Sequence, residues 1–446
     1  MKITKVLESF FAPLLEAEND KLEALRHSII LAPKSRYFDF TASGLAYKTI
    51  QKRIASILPY YANTHSHFAH NAHLMSELYE QAKRHIMFAL GLDDEFVLIA
   101  GGSGASFGIK KFQEIMGVYL PPKTSQYLGI DKKNLPNLPN VLISRYEHHS
   151  NEISYREGLC CLHKIKLDER GLLDIKDLKQ HLLHLTADSQ TPSLIIASLS
   201  VASNVTGILT PIAQCVPILR ESQSLIALDM ASSSAYMNVD SSCFDAAFLA
   251  PHKLLGGVSS CGLLAIRKNL IDTQLPPSFS GGGVIEYAND SQHFYITESA
   301  SREEAGTPAI IGLLCAALAY QLRNEVGLDF IRRREKILTQ AFIYELSNIP
   351  AVSIYGNLDE EKLGIVSFNV GSISPLDLCV MLSRKYGIQT RAGCSCAGPY
   401  GHYLMGEGSE SKKPMWLRVS LHYTHSIEDI EYLISSLKSC IKILRG

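Results

Sequence analysis

A lysine stands where it is costly to keep one: Lys253, beside His252, just past the apolar run 244–250 and ahead of Gly256 and Gly257. The run reads as a short buried strand. Burial disfavours the ammonium, lowers its pKa and frees a neutral amine to attack a carbonyl. Schiff-base chemistry is therefore the first chemistry this sequence offers. Other reactive residue types recur in similar places. Asp229 closes the apolar run 225–228, His148 follows 140–144, Asn204 follows 194–198, and a glycine-rich turn, 101–106, follows 96–100. Further on, Arg391, Cys394 and Cys396 fall within one short stretch, and Arg418 lies on a later apolar one.

Short β-rich runs, each followed by a polar turn and separated by helical stretches, indicate a mostly parallel sheet covered on both faces. Ligands of such sheets bind outside the carboxyl ends of the strands, so all five turns open on one region. There the residue types divide the work of holding pyridoxal phosphate (PLP). The turn 101–106 leads into a helix expected from near Phe107, whose N-terminal amides, with the Ser106 hydroxyl, suit a phosphate. Asp229 suits the pyridine nitrogen, whose protonation makes the ring an electron sink. His148 suits stacking on that ring, and Asn204 its phenolic oxygen.

The bulk composition excludes several classes. Lys and Arg number 43 against 44 Asp and Glu, so no charge excess attracts nucleic acid or an anionic membrane. No uncharged apolar run nears the ~20 residues that span a bilayer. The first apolar stretch, 6–15, is broken by Glu8 and Pro13, unlike a signal peptide. The 10 cysteines are irregularly spaced, which fits reduced thiols and a cytoplasmic location. Cys394, Cys396 and the nearby His402 lack a convincing zinc ligand set, so no metal is expected.

Taken together, the motifs resemble class V, fold-type I PLP enzymes, most closely the cysteine desulfurase and selenocysteine lyase branch. The resemblance is carried by Glu147-His148-His149-Ser150-Asn151, by Ser203-Asn204-Val205-Thr206-Gly207 with Pro211, by the spacing from Asp229 to Lys253, by Gly281-Gly282-Gly283 and Glu304-Ala305-Gly306-Thr307-Pro308, by Arg391-Ala392-Gly393-Cys394-Ser395-Cys396, and by Arg418-Val419-Ser420-Leu421. It implies an α/β fold: a large domain over 20–300 with a mostly parallel seven-stranded sheet, and a smaller α+β part formed by 1–19 and 301–446. It implies a lyase that takes sulfur or selenium from a cysteine-like amino acid through an enzyme persulfide, leaving alanine. Lys253, Cys396 and His148 would be catalytic, with Cys394 the second choice of nucleophile. Ala105, Ser106, Asn204, Asp229, Ser232, His252 and Thr307 would join His148 and Lys253 at the cofactor, and His65, Arg391 and Arg418 would meet the substrate. A homodimer with shared active sites and a sulfur-acceptor protein are the expected partners.

Some residues depart from that pattern. Ser232 stands where the desulfurases usually carry glutamine, and Ala250 and Ala105 stand at positions that usually supply phosphate-binding hydroxyls. Two alternatives follow: another class V reaction (transamination, epimerisation or kynureninase-like cleavage) that needs Lys253 but not Cys396, and a PLP-binding protein of weak activity. Elsewhere, 426–444 reads as an amphipathic packing helix opened by Ser426-x-x-Asp429, a near capping box. The stretch 121–140 reads as a surface excursion, and 407–413 as a mobile segment.

Overall fold

Alternation along the strands decides which side chain meets which layer. In the run 96–100, Leu98 and Ala100 enter one apolar core while Val97 and Ile99 enter a second on the opposite face. The same division holds for Leu263 and Ala265 against Leu264 and Ile266. This is what period-two side chains do in a sheet buried on both sides. A computed structural model describes residues 3–15, 20–64, 66, 68–187, 193–406 and 413–445. His65 and the greater part of the segment expected to be mobile, 407–412, lie outside these residues.

The large sheet has seven strands: β1 (Phe96–Gly101), β2 (Asn140–Ile143), β3 (Cys161–Lys164), β4 (Ile195–Ser200), β5 (Leu225–Asp229), β6 (Ala246–Leu249) and β7 (Gly262–Arg267), in the order β1-β7-β6-β5-β4-β2-β3. Strands β2 to β6 pair in parallel, and β7 is inserted antiparallel between β6 and β1. The sheet is thus mostly parallel, as expected, with one reversed strand that the pattern of runs did not single out. In register, Asp229 lies beside Ser200 on β4 and Phe248 on β6, so the strand ends are level.

Helices α1 (Ile3–Phe10) and α2 (His70–Leu90) cover one face, and α3 (Gly104–Ile115) covers the other through Ile109 and Phe112. The next segment the site uses is α4 (His149–Glu157), after β2. Further along, α5 (Ile310–Val326) packs on α2, and α6 (Leu328–Ser347) follows it. A separate core joins a four-stranded antiparallel sheet of β8 (Val352–Ile354), β9 (Ile365–Val370), β10 (Arg391–Gly393) and β11 (Trp416–Ser420) to helices α7 (Pro375–Tyr386) and α8 (Ile427–Leu444). The full capping box forms at Ser426 and Asp429, and α8 packs on α6 and α7.

Packing divides the buried side chains between the two cores. Val6, Phe10, Phe11 and Leu14 join the core of the large sheet. Helix α5 belongs to that core too. Helix α6 spans both, with Ile331 facing the first core and Leu338 and Phe342 the second. Every residue of the α5 segment Leu313–Tyr320 is buried, packed largely against α2. No helix among the described residues is long and apolar enough to cross a membrane.

Candidate active site

The level strand ends place the expected residues around one cavity of about 570 Å3. Past β6, Pro251 opens a single 3-10 turn that ends at Lys253, and Gly44 N–H donates to the His252 carbonyl at 2.7 Å, fixing the turn against loop 39–44. Burial pushes the Lys253 amine down from 10.5 to about 8; Asp229 opposes the shift and Arg418 adds to it. At neutral pH an appreciable fraction is thus the nucleophilic amine. Competitive acetylation of Lys253 should accelerate roughly tenfold per pH unit below about pH 8 and flatten above it. A midpoint at the ordinary lysine value would remove the buried setting proposed for it.

Asp229, at the tip of β5, is 6% exposed and accepts from Ala231 N–H at 2.9 Å. Burial raises its pKa while Lys253 pulls the other way, so its carboxylate gains from any cation brought beside it. His148 caps α4: its Nδ1 accepts from Ser150 N–H at 3.1 Å, which leaves the proton on Nε2. Burial, then Lys253, lower its pKa to about 4, so the ring is neutral. Glu147 holds this corner from below. Fully buried, it accepts from Ser144 after β2, from Ser200 at the end of β4 and from Asn151 in α4.

At the opposite wall, α3 begins at Gly104, three residues before the expected start, so Ala105 and Ser106 lie within its first turn. Gly104 has φ +61, and a Cβ there would lie 3.1 Å from His252 Cε1. Glycine alone lets this helix end approach His252. Burial, then Lys253, lower His252 to about 4. The Ser106 and Ser150 hydroxyls share a hydrogen bond of 2.6 Å. Ser232 lines the same cavity, as do Ser259 and Ser260, which no sequence motif pointed to. Their turn is brought here by the reversed strand β7, whose Gly262 abuts the Gly104 carbonyl. Ser260 Oγ is buried with no hydrogen-bond partner.

The second sheet supplies the guanidinium groups. Arg418 on β11, its side chain 3% exposed, stands directly opposite Arg391 on β10. Like charges in that register repel, and Asp39 sits between them. It takes Arg391 at 2.8 Å and Arg418 Nη2 at 3.2 Å, while Arg418 Nη1 donates to the Asn204 carbonyl at 2.9 Å. Asp39 carries no motif of its own; a lone carboxylate in the aromatic run Tyr37–Phe40 was the one signal available. Asp39→Ala should lower unfolding stability by about 3 kcal/mol, because it strands the buried Arg418 charge. Urea midpoints read this directly, and a variant as stable as the parent would contradict it.

Between the sheets lies the cysteine turn. Cys396 is exposed and lines the cavity, whereas Cys394 packs beside the apolar cluster of Tyr146, Val205, Tyr400 and Trp416. Of the two candidates, Cys396 is the one presented to Lys253. Asn204 lines the cavity; its Nδ2 donates to the Ser395 carbonyl at 2.7 Å, and its Oδ1 is buried without a partner. Thr307, in a segment resembling one that reaches a phosphate in the partner subunit, is exposed, hydrogen-bonded to Asn63, and lines a different groove with Ala305 and Pro308.

The family described as aminotransferase class-V matches residues 128–433. The chain is 28% identical over 438 residues to a probable cysteine desulfurase of Pyrococcus abyssi, covering 95% of this chain and 98% of that protein. It is 28% identical over 312 residues to a cysteine desulfurase of Escherichia coli, covering 68% and 72% respectively. Among solved structures, the apo form of a cysteine desulfurase from Thermococcus onnurineus superposes with a TM-score of 0.79 at 24% identity, covering 95% of this chain and 98% of that one. A second, from Escherichia coli, gives 0.76 at 19% identity, covering 96% and 100%. At these identities the structural likeness speaks for the fold.

Proposed function

Because the chain belongs to the aminotransferase class-V family, we propose that it is a PLP-dependent cysteine desulfurase, taking sulfur from L-cysteine or the selenium analogue and leaving alanine. The observation that carries this reading is the thiol of Cys396 opening on the same cavity as Lys253 and Arg418. A transaminase or epimerase has no use for a cysteine there.

The cavity suits the cofactor in its orphaned groups. Ser260 Oγ, Asn204 Oδ1 and Arg418 Nε are buried polar atoms without partners, and all three residues line it. Such groups are costly unless a ligand satisfies them. The first-turn amides of α3, with Ser106, Ser260 and His252, would take the phosphate, which makes up for Ala105 and Ala250. Asp229 would hold the pyridine nitrogen, His148 would face the ring, and Lys253 would carry the carbonyl carbon. When bound, PLP withdraws electrons from the amino acid's Cα, acidifying its proton and loosening what is attached at Cβ.

The chain's own groups supply the rest. Arg418 is the fork for the substrate carboxylate, with Nε free and the guanidinium braced by Asp39 and the Asn204 carbonyl. Lys253, as the neutral amine, takes the Cα proton and returns one to carbon. The Cys396 thiolate forms a bond to the substrate sulfur as the Cβ–S bond breaks. The electron pair stays on carbon, which is protonated to alanine, and the sulfur remains on Cys396 as a persulfide. An acceptor thiol then removes it. A second copy of the chain would bring Thr307 and the segment Gly281–Gly283 to the neighbouring cavity, and the exposure of Thr307, Gly282 and Gly283 supports that arrangement.

The test is product analysis with L-cysteine and a thiol reductant. Alanine and sulfide should appear in equal amounts. A keto acid in place of alanine would establish the transaminase reading instead.

A further inference from the structure

The cysteine turn is held in an uphill backbone. Ser395 and Cys396 both adopt left-handed φ, at 52 and 54. A non-glycine residue is strained there and persists only where its surroundings over-determine it. Within the turn, Ala397 N–H donates to the Cys394 carbonyl at 3.0 Å. From outside, Trp416 Nε1 donates to Ser395 Oγ at 3.1 Å and Asn204 to the Ser395 carbonyl. Those contacts stop at Ser395. What holds Cys396 itself comes from a residue with no role so far, His149.

His149 is the first residue of α4, where backbone N–H groups have no partner inside the helix. Its N–H donates to the Cys396 carbonyl at 2.8 Å. Its ring Nε2 accepts from Gly398 N–H at 2.8 Å. One residue therefore grips the chain on both sides of Ala397. The ring bond fixes the proton on Nδ1, and burial lowers the His149 pKa, which keeps Nε2 an acceptor. Gly398 is shaped for this contact, since a Cβ there would lie 3.2 Å from His149 Nε2. Its neighbour His148 caps the same helix end and lines the cavity.

We propose that His149 is a positioning residue that fixes the Cys396 thiol relative to Lys253 by clamping residues 396 and 398 to the N-terminus of α4. The inference rests on Cys396 being the nucleophile. With the clamp in place the thiol and the residues around the cofactor share one rigid support. Without it, the left-handed turn relaxes and the thiol leaves its line of attack. The role is distinct from stacking, which belongs to His148, and from binding, because His149 does not line the cavity.

The test compares holoenzymes carrying His149→Phe, His149→Gln and Gly398→Ala with the parent, by kcat and KM for L-cysteine and by the iodoacetamide labelling rate of Cys396 followed by mass spectrometry. Visible absorption of the bound cofactor reports that each variant is folded. The expected result for His149→Phe is a kcat lower by about 10- to 100-fold, with KM within about twofold and labelling several-fold faster. His149→Gln, whose Oε1 can accept from Gly398, should recover most of the loss. Gly398→Ala, which crowds the same bond from the other side, should reproduce it even where His149→Phe fails to fold. Parental kcat and labelling in both His149→Phe and Gly398→Ala would overturn the proposal, and so would equal losses in the Phe and Gln variants. The parent reading fails on a different result, sulfide production undiminished in Cys396→Ala.

Discussion

Lys253→Ala should lower alanine formation from L-cysteine by ~10,000-fold or more and abolish the visible absorption of the purified protein. Both losses come from one amine. Lys253 ends the turn that β6 delivers to the cavity, and it is the basic group there whose pKa burial brings to about 8. His252 and His148 are poor replacements, since burial, which lowers the pKa of each, persists without the lysine. Arg418 is buried and already committed to Asp39 and the Asn204 carbonyl. Removing the lysine also takes away the positive charge beside Asp229, so the carboxyl becomes easier to protonate and holds a pyridine nitrogen less firmly. Methylamine added to the variant should restore part of the absorption and part of the rate. A colourless protein of unchanged rate would refute the assignment.

Cys396→Ala should abolish sulfide formation, again by about three orders of magnitude or more, with the visible absorption intact. The separation of the two readouts follows from position. Cys396 lines the cavity on a turn held by Asn204, Trp416 and His149, and no hydrogen bond links it to Asp229, His148 or the helix end at Gly104. Cys394→Ala should keep most of the rate, because Cys394 sits against the apolar cluster around Trp416. Its cost belongs to stability, as a small cavity beside that cluster. The reverse pattern, with Cys394 essential and Cys396 dispensable, would overturn the choice between them.

How much of this was legible in the sequence depended on whether a residue's partner lay nearby in the chain. The strand-end residues announced themselves. A continuous apolar run must be buried, a polar residue at its end must be exposed or used, and Asp229, His148 and Lys253 are all of that kind. The capping box at Ser426 was readable for the same reason, since its two members are three residues apart. Asp39 was not, because its partners are Arg391 and Arg418 and only the pairing of β10 with β11 makes two cations that need it. Nor was Ser260, whose place depends on β7 entering the sheet antiparallel. That reversal leaves no local trace, as β7 is as apolar as its parallel neighbours. Asn204 was legible as a site residue but not in its bonding, which depends on a turn nearly two hundred residues away.

The central claim is that sulfur passes through Cys396. It is tested most directly by mass spectrometry of the holoenzyme after one turnover with L-cysteine in the absence of any thiol acceptor. The account predicts one added sulfur atom on the peptide at Cys396, in equal amount to the alanine formed, and its loss on adding a reductant. Alanine and sulfide released while the Cys396 peptide keeps its original mass would contradict it.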